Sequence, residues 1–256
     1  MFSDERKAQI LNRLETMQRV TVPELARHLK VSESTIRRDL QDLEEQGQLK
    51  RTHGGAVTKE VSSFEPTVQE KVVHFPIEKS AIARKAVTFI EPGDTILLDA
   101  GTTTLEIARQ LPDIDITVLT NSMLIGQIVS QLNYAHLMLL GGEHRKTTGA
   151  LTGPLTETLL SQINTDKLFL GANAVEKDRG VMTPNAMEAA TKRAMIRSAR
   201  EVILVADHSK LGKISLVKVC DLTDIDVFLT DKPAPPPYDE LFEQINVNWI
   251  SCTEHE

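Results

Sequence analysis

Apolar positions follow two different patterns along this chain, and the change of pattern divides it into two parts. In the first 57 residues, apolar side chains recur every three or four positions, which predicts short amphipathic helices. From residue 77 onward, short uninterrupted aliphatic runs are separated by helical patterns. Such runs are typical of strands covered on both faces, so the second part is predicted to be a mostly parallel sheet wrapped by helices.

Two short helices are predicted first. A helix capped by Ser3 has a buried stripe formed by Ile10, Leu11, Leu14 and Met17. The next begins at Thr21, three residues before Glu24 as in a capping box, with a proline in its first turn. Its predicted buried residues are Leu25, Ala26 and Leu29.

The third helix is predicted to begin at Ser32, whose hydroxyl can accept a backbone N–H of the first turn. Its buried face is formed by Ile36, Leu40 and Leu43. The outer face is polar and cationic and can meet the base edges and phosphates of DNA. The candidate DNA-binding residues on this face are Ser34, Thr35, Arg37, Arg38 and Gln41. Asp39 would repel a phosphate, so we expect it to pair with a neighbouring arginine or to hold a backbone group.

Residues 49–57 indicate a strand, a turn with two glycines and a second strand, which together form a wing. Lys50, Arg51 and His53 on this hairpin could reach the DNA backbone or minor groove. Tandem helices, a tight turn and a wing predict a winged helix-turn-helix DNA-binding domain over residues 1–57.

The distribution of charge bears on this interpretation, because the whole chain carries −7. Residues 1–57 hold ten Lys and Arg against nine Asp and Glu, a net +1, and the remainder holds 19 against 27, a net −8. Nonspecific DNA affinity comes from phosphate neutralisation, so one such domain should bind weakly. The expected partner is double-stranded operator DNA, bound at an inverted or direct repeat by a homo-oligomer, either a dimer or a tetramer.

Composition excludes several classes of protein. Apolar residues make up 41% and charged residues 25% of the 256 positions, and neither a signal peptide nor an 18-residue apolar run is present. We therefore expect a cytoplasmic protein without a membrane partner. Cys220 and Cys252 stand far from each other and from any histidine cluster, so no disulfide framework, metal site or cofactor is expected.

Residues 58–76 show no sustained period and contain Pro66 and Pro76, so they are predicted to be a linker to an effector-sensing domain over 77–256. Within that domain a helix is predicted through residues 82–90 and a turn at 92–94. The predicted strands are 96–98, 116–119, 137–140, 168–170, 202–205 and 227–229, followed by a closing helix at 238–245 and a strand at 247–250.

Ligands of open α/β sheets bind beyond the carboxyl ends of the strands, and here those segments are small, polar or charged. Gly101, followed by three threonines at a helix start, can bind a phosphate through backbone N–H groups and hydroxyls. The candidate counter-charges are Arg145, Lys192 and Lys210. Asp99 is assigned to a sugar hydroxyl or to pairing with one of these cations, and Glu188 to a hydroxyl.

These motifs together resemble those of the DeoR family of bacterial transcription regulators. The resemblance begins with Arg6, Ile10 and Leu14, continues through the 32–40 and 51–55 segments, and extends to 98–104, 120–121, 141–142 and 207–210. It implies a winged helix-turn-helix head and a C-terminal domain similar to ribose-5-phosphate isomerase and CoA-transferase folds. The implied function is repression of a sugar-catabolism operon under control of a phosphorylated sugar or related metabolite. The implied effector-binding residues are Asp99, Gly101, Thr102, Thr103, Thr104, Thr120, Asn121, Gly141, Gly142, Arg145, Glu188, Lys192 and Lys210.

An alternative function is a phosphosugar isomerase or CoA-transferase-like enzyme with an appended DNA-binding domain. Isomerisation needs a general base, and Asp99, Glu188 or Asp207 could serve as one. No metal constellation, phosphate-binding P-loop or nucleophile triad in the sequence supports such chemistry, so no catalytic residue is expected. The sequence leaves open which metabolite acts and whether it induces or co-represses.

Overall fold

The computed structural model describes residues 3–17, 19–52, 54–57 and 66–252. They fall into two compact units, Met1–Pro66 and Thr67–Glu256. Within these residues we find no helix with the length and apolar character needed to cross a membrane.

Three helices and a small antiparallel sheet form the first unit. Its elements are α1 (Ser3–Met17), β1 (Arg19–Thr21), α2 (Val22–Leu29), α3 (Glu33–Glu45), β2 (Lys50–Thr52) and β3 (Gly55–Val57). The strand order is β1-β3-β2, so β1, which the sequence analysis did not predict, pairs with the second strand of the wing. A core of apolar side chains from all three helices and the sheet holds these elements together.

The predicted helix starts of α2 and α3 are confirmed. Thr21 and Glu24 form a reciprocal capping box, and the Ser32 hydroxyl accepts the Thr35 N–H. The predicted burial of Met17 is wrong, because this side chain is 57% exposed. It lies at the last position of α1, and the core beyond that position is filled by Val20 and Val22 instead.

The two glycines of the wing have different roles. Gly54 lies in the turn, whereas Gly55 is the first residue of β3 and pairs with Thr21 of β1. A Cβ atom at position 55 would lie 1.8 Å from the carbonyl oxygen of Val20. Glycine at this position is therefore required for the close approach of β1 to the wing, and only Gly54 acts as a turn residue.

The second unit contains seven helices and twelve strands among its described residues. The helices are α4 (Val68–Val72), α5 (Pro76–Ala86), α6 (Thr102–Arg109), α7 (Met123–Val129), α8 (Pro154–Leu160), α9 (Ala186–Ser198) and α10 (Tyr238–Gln244). The strands are β4 (Thr95–Leu98), β5 (Ile116–Thr120), β6 (Ala135–Leu139), β7 (Glu143–His144), β8 (Leu151–Thr152), β9 (Thr165–Gly171), β10 (Ala174–Glu176), β11 (Gly180–Thr183), β12 (Ala199–Val205), β13 (Val217–Cys220), β14 (Val227–Thr230) and β15 (Asn248–Ser251). Short 3-10 helices occupy Val87–Phe89, His208–Lys210 and Leu222–Asp224.

Seven parallel strands form the central sheet in the order β15-β14-β12-β9-β4-β5-β6. The six strands predicted from aliphatic runs and the predicted closing strand all belong to it, so the predicted α/β fold with a mostly parallel sheet is confirmed. Apolar side chains of the sheet enter two separate core clusters, in which Leu97, Leu119 and Leu168 belong to one, and Ile96, Leu98 and Val118 to the other. This alternation along β4 and β5 shows that both faces of the sheet are covered.

The edge strand β6 departs from the predicted burial on both faces. Met138 is 45% and Leu139 46% exposed, whereas the central strands are buried almost throughout. β6 has a neighbouring strand on one side only, and the continuous aliphatic run gives no sign of that position in the sheet.

Two smaller antiparallel sheets, β10-β11-β13 and β7-β8, were not predicted. The residues 67–76, which the sequence analysis assigned to the linker, lie in the second unit and contain α4. A helix of five residues is too short to show a helical period, which explains why the pattern suggested a connection. The helix predicted over 82–90 also begins earlier, at Pro76, and ends in a 3-10 turn.

Candidate functional sites

The outer face of α3 presents the predicted polar and cationic side chains. Ser34, Arg37, Arg38 and Gln41 are exposed, and Thr35 is half-buried. The Ser32 hydroxyl lies 2.8 Å from the hydroxyls of both Ser34 and Thr35. Three hydroxyl groups therefore cluster at the N-terminal end of the helix, where the partial positive charge of the helix favours an anion.

The two arginines of this face are available for contacts with DNA. Arg37 pairs with Glu33 across one turn at 2.9 Å, and both side chains are about half exposed, so water and salt screen the pair. No ion pair or hydrogen bond holds Arg38 within the described part of the chain. A phosphate or guanine could therefore compete for either guanidinium group at little cost.

Asp39 points the opposite way, into the unit. Its carboxylate accepts hydrogen bonds from Nε and Nη2 of Arg6 in α1, and the Nη2–Oδ1 distance is 2.9 Å. Both side chains are largely buried. This forked pair fixes α3 on α1. The expected structural role of Asp39 is thus what the structure shows, and the arginine comes from another helix.

The wing is connected to α3 through its backbone. The Arg51 N–H donates to Glu44 Oε1 at 2.8 Å, while the Arg51 side chain is half-buried and Lys50 is exposed. His53 lies outside the described residues. This hydrogen bond attaches the wing to α3 without using the Arg51 side chain.

In the second unit, a small cleft opens beyond the carboxyl ends of the central strands, where about 190 Å³ lies between the lining atoms if space open to solvent is included. It is lined by Asp99, Ala100, Asn121, Ala150, Thr152, Glu188, Thr191 and Lys192. Four of these were predicted as effector-binding residues, namely Asp99, Asn121, Glu188 and Lys192. The cleft thus lies at the edge of the sheet where open α/β folds bind their ligands.

One wall of the cleft contains a buried ion pair. Lys192 Nζ contacts Asp99 Oδ2 and also donates to the carbonyl oxygen of Gly171 at 2.9 Å, and the Gly171 N–H donates to the same carboxylate at 3.0 Å. Burial raises the pKa of Asp99, and the charge of Lys192 opposes that rise. Of the two roles predicted for Asp99, the structure shows the pairing with a cation.

A second carboxylate is held by three side chains. Glu188 Oε1 lies 2.5 Å from Thr148 Oγ1 and 2.6 Å from Arg145 Nη1, and Oε2 accepts from Thr183 at 3.3 Å. Burial alone would raise the pKa of Glu188, but the hydrogen bond from Thr148 and the charges of Lys192 and Arg145 lower it overall. Glu188 is therefore an ionised acceptor with a fixed orientation.

Several other predicted residues use their side-chain polar groups in hydrogen bonds within the protein. The hydroxyl of Thr104 donates to the carbonyl oxygens of Asp99 and Gly101, and that of Thr120 donates to Leu98 O. Asn121 accepts the Ala100 N–H and donates to Leu151 O. These contacts shape the cleft rather than offer donors to a ligand.

The glycine pair at the end of β6 does not line the cleft. Gly141 O accepts the Thr156 hydroxyl at 2.5 Å. Gly142 has φ 151°, and a Cβ atom there would lie 2.2 Å from that same hydroxyl. Gly142 therefore permits close packing of this turn on α8, whereas a Cβ atom at Gly141 would meet no atom within 4 Å.

The remaining predicted residues, Gly101, Thr102, Thr103 and Lys210, are not among the residues that line the cleft. Gly101 is the N-cap of α6, no described side chain caps this helix, and Thr102 and Thr103 occupy its first turn. Ala100, which precedes them, lines the cleft. Lys210 is partly exposed, with Nζ 4.0 Å from Asp207 Oδ2, and is not among the lining residues.

Four lining residues were missed by the sequence analysis: Ala100, Ala150, Thr152 and Thr191. Thr191 could have been found, because it follows Glu188 by three positions and precedes Lys192 by one on the same helix, α9. Ala150 and Thr152 belong to the loop and strand after Arg145, where no period indicates the direction of a side chain.

Residues 68–79, at the start of the second unit, contact the loop that carries Arg145 and also contact His208. The Val68 N–H donates to Thr147 O at 3.0 Å, in the loop that carries Arg145 and Thr148. The buried Lys79 Nζ donates to Lys71 O and His74 O, each at 2.6 Å. Phe75 lies edge-on to the ring of His208, with 5.0 Å between the ring centres. Burial lowers the pKa of Lys79 to about 8.

Two protein-family models match this chain. A DeoR-like helix-turn-helix domain matches residues 6–61, and a DeoR C terminal sensor domain matches residues 75–232. The two matched ranges contain the α3 face and the lining residues of the cleft, respectively.

Individual proteins match over most of the chain. It is 42% identical over 234 residues to the HTH-type transcriptional regulator GlpR of Haloferax volcanii, which covers 90% of this chain and 91% of that protein. It is 39% identical over 215 residues to the lactose phosphotransferase system repressor of Staphylococcus epidermidis, covering 83% and 85%. Among solved structures, ribose 5-phosphate isomerase A of Methanocaldococcus jannaschii is similar to 52% of this chain, over 53% of its own length, with a TM-score of 0.39 and 19% identity.

Proposed function

Because the chain belongs to the DeoR family of transcriptional regulators, we propose that it represses an operon for the use of a sugar or sugar derivative. In this proposal a phosphorylated sugar or a related metabolite binds in residues 77–256 and controls binding of the operator by residues 1–57. The observation that carries it is the exposed cationic face of α3, within a unit that matches a helix-turn-helix model.

For the DNA-binding unit, we assign base and phosphate contacts to the outer face of α3. Arg37, Arg38 and Gln41 have the forked or amide groups that read base edges in the major groove. Ser34 and Thr35, beside the N-terminus of the helix, suit phosphate oxygens. Lys50, Arg51 and His53 of the wing are assigned to the backbone or minor groove.

For the effector, we infer an orientation from the charges of the cleft. Asp99 and Glu188 would repel a phosphate, and they are already matched by Lys192 and Arg145. The phosphate is therefore assigned to the first turn of α6, at Gly101, Thr102 and Thr103, with Lys210 as its counter-charge. The hydroxylated part of the effector would then face the two carboxylates. The similarity to the lactose phosphotransferase system repressor of Staphylococcus epidermidis supports a sugar-linked role.

We also propose that the protein binds its operator as a homo-oligomer. A first unit with a net charge near zero neutralises few phosphates, so a single copy should have low affinity. Two copies on one repeat would add their contacts. Because the proposed partner is operator DNA, we also propose that the protein is cytoplasmic.

Control by an effector requires different affinities of the effector for the two states of the protein. Shifting an operator-competent population from 99:1 to 1:99 needs about 5.5 kcal/mol of differential binding. A phosphate bound at a helix terminus and several hydroxyls bound by buried groups can supply a few kcal/mol per site. An oligomer multiplies the number of sites, which makes the required total attainable.

A ligand panel tests the sensor role. Purified full-length protein is heated with aldose 6-phosphates, ketose 1-phosphates, glycerol 3-phosphate, the free sugars and inorganic phosphate. We expect one phosphorylated compound to raise the melting temperature and to change the mobility shift of promoter DNA from the protein's own operon, while the free sugar does neither. A panel without any such compound, or full-length protein that ignores this DNA, would refute the proposed function.

The alternative of a phosphosugar-converting enzyme is not favoured by the cleft. The lowered pKa of Glu188 makes it a weak proton acceptor, and its oxygens are held by Thr148, Arg145 and Thr183. Asp99 Oδ2 is likewise held by Lys192 and Gly171. We expect no turnover of ribose 5-phosphate or hexose phosphates at high protein concentration, and measurable turnover would restore the enzyme hypothesis.

A further inference from the structure

Thr191 is a buried polar group without a protein partner. Its side chain lies on α9, is 1% exposed and lines the cleft, and its hydroxyl makes no hydrogen bond with any described residue. A helical threonine can satisfy its hydroxyl with a carbonyl oxygen of the preceding turn, yet this one does not. Buried hydroxyls are rarely left without a partner, so the arrangement needs an explanation.

Other buried threonines around the cleft behave differently. Thr104 and Thr120 donate to backbone carbonyl oxygens, and Thr148 and Thr183 lie within hydrogen-bond distance of Glu188. Thr191 alone among these five has an unused hydroxyl, and this hydroxyl belongs to a lining residue of the cleft.

The neighbours of Thr191 define what can bind it. Glu188 and Lys192 share its face of α9, and Lys192 is paired with Asp99. A phosphate at this position would lie among two carboxylates, which disfavours it. A ligand hydroxyl fits better, because it can donate to a carboxylate oxygen and either donate to or accept from a threonine hydroxyl.

We propose that Thr191 is a specificity-determining residue of the effector site, which binds a hydroxyl of the sugar at the end of the cleft remote from the phosphate. This inference rests on the proposed effector role of the cleft. It assigns to one side chain the choice between sugars that carry a hydroxyl at that position and those that lack it. Discrimination of this kind is strong where a site leaves a buried polar group unpaired with the wrong ligand.

The test compares Thr191→Val with Thr191→Ser. Valine keeps the size and branching of the side chain but removes the hydroxyl, while serine keeps the hydroxyl. The ligand is the member of the phosphosugar panel that binds wild-type protein most tightly, together with its monodeoxy analogues, measured by titration calorimetry. Thr165→Val is the matched control, because Thr165 is a buried threonine at the amino end of β9 that does not line the cleft.

We expect Thr191→Val to weaken binding of that phosphosugar by about tenfold, and Thr191→Ser and Thr165→Val to leave its affinity within about twofold of wild type. One monodeoxy analogue should bind wild-type protein about tenfold more weakly than its parent, but should bind Thr191→Val as well as the parent does. Without ligand, Thr191→Val should melt at the wild-type temperature or above, because no protein hydrogen bond is lost.

Three results would overturn the inference. The first is unchanged phosphosugar affinity in Thr191→Val, and the second is an equal loss in Thr191→Ser. The third is a melting temperature of unliganded Thr191→Val clearly below that of the wild type, as is expected for Thr165→Val, whose hydroxyl donates to Ser198 O at 3.3 Å; it would indicate a structural role. If no phosphosugar binds the wild type, the proposed function itself fails. If a phosphosugar binds the wild type but Thr191→Val binds it equally well, only the inference about Thr191 fails.

Discussion

Among the described residues, each unit contains one pair of a cation and an aspartate in which both residues are buried. The two pairs are placed differently relative to the proposed binding surfaces. Asp39 is on the buried face of α3 and pairs there with Arg6 of α1, whereas Arg37 and Arg38 are on the exposed face. Lys192 and Asp99 form part of the cleft wall itself. Under the proposed assignments, folding and recognition use different side chains in the first unit, whereas in the second unit they share Lys192 and Asp99. Substitutions should separate stability from binding in the first unit but change both in the second.

The largest effect is expected from Asp39→Ala. It would leave the Arg6 guanidinium buried without its carboxylate and should lower the free energy of unfolding of the first unit by about 3 kcal/mol. Operator binding would be lost through unfolding, although Asp39 contacts no DNA in our assignment. Urea unfolding followed by circular dichroism measures the change.

Asp42→Ala is the control for that experiment. Asp42 pairs with Lys7 between the same two helices at 2.7 Å, but its side chain is substantially exposed. Its removal should have little effect on stability. Equal losses in the two variants would show that burial does not distinguish the pairs.

The next effect is expected from Lys192→Met. Asp99 would lose its cation, its pKa would rise further, and the stability of the second unit should fall by about 2 kcal/mol at neutral pH. An acid with a raised folded pKa binds protons more tightly when folded, so this deficit should shrink as the pH falls below that pKa. Affinity for the effector should fall as well.

Lys167→Met is the control for the cleft pair. Lys167 pairs with Asp94 at 2.7 Å at the amino end of the sheet and does not line the cleft. It should lower stability without changing effector affinity. A Lys192→Met variant that lost stability yet bound the effector normally would contradict the shared use of this pair.

The buried cation Lys79 differs from Arg6 and Lys192, because carbonyl oxygens rather than a carboxylate accept the hydrogen bonds of its ammonium group. Its folded pKa of about 8 lies below the 10.5 of a free lysine, so the unfolded state binds more protons between these values. Stability should therefore rise with pH through this window, by about 2 kcal/mol, and Lys79→Met should lack the rise. Denaturant titrations of both proteins from pH 7 to 10.5 measure it, and parallel curves would refute the assignment.

The smallest effect is expected from Arg38→Ala or Arg37→Ala. Either change should weaken operator binding about tenfold and relax its sequence preference, with the melting temperature unchanged. Arg200→Ala, at a highly exposed arginine of the second unit, serves as the charge-matched control in electrophoretic shifts. Unchanged affinity in both α3 variants would remove the groove assignment.

The architecture could be predicted from sequence because its signals are local and repeated. Ser32 and Thr21 mark the starts of their helices through capping hydrogen bonds. Six of the seven strands of the large sheet contain an aliphatic run, and only β15 does not. What escaped prediction depends on distant neighbours. Nothing around Gly55 indicates that Val20 passes beside it, and nothing in the run at β6 shows that no further strand follows.

The cleft was predicted less completely, and the reason is visible in its threonines. Thr104, Thr120 and Thr191 have the same hydroxyl group, but two donate to backbone carbonyl oxygens and one does not. A sequence records the residue type and not the partner of its hydroxyl. The paired roles of Asp99 and Lys192, 93 positions apart, likewise depend on the fold.

The hydrogen bond from Val68 to Thr147 has a mechanical consequence. Thr147 is followed directly by Thr148, whose hydroxyl lies 2.5 Å from the Glu188 carboxylate, and Val68 is the second residue after the boundary between the units. Thr147, which holds the start of the second unit, and Thr148, which contacts Glu188 of the cleft, are therefore adjacent in the chain. A molecule that shifts the 145–150 loop would therefore act directly on this hydrogen bond.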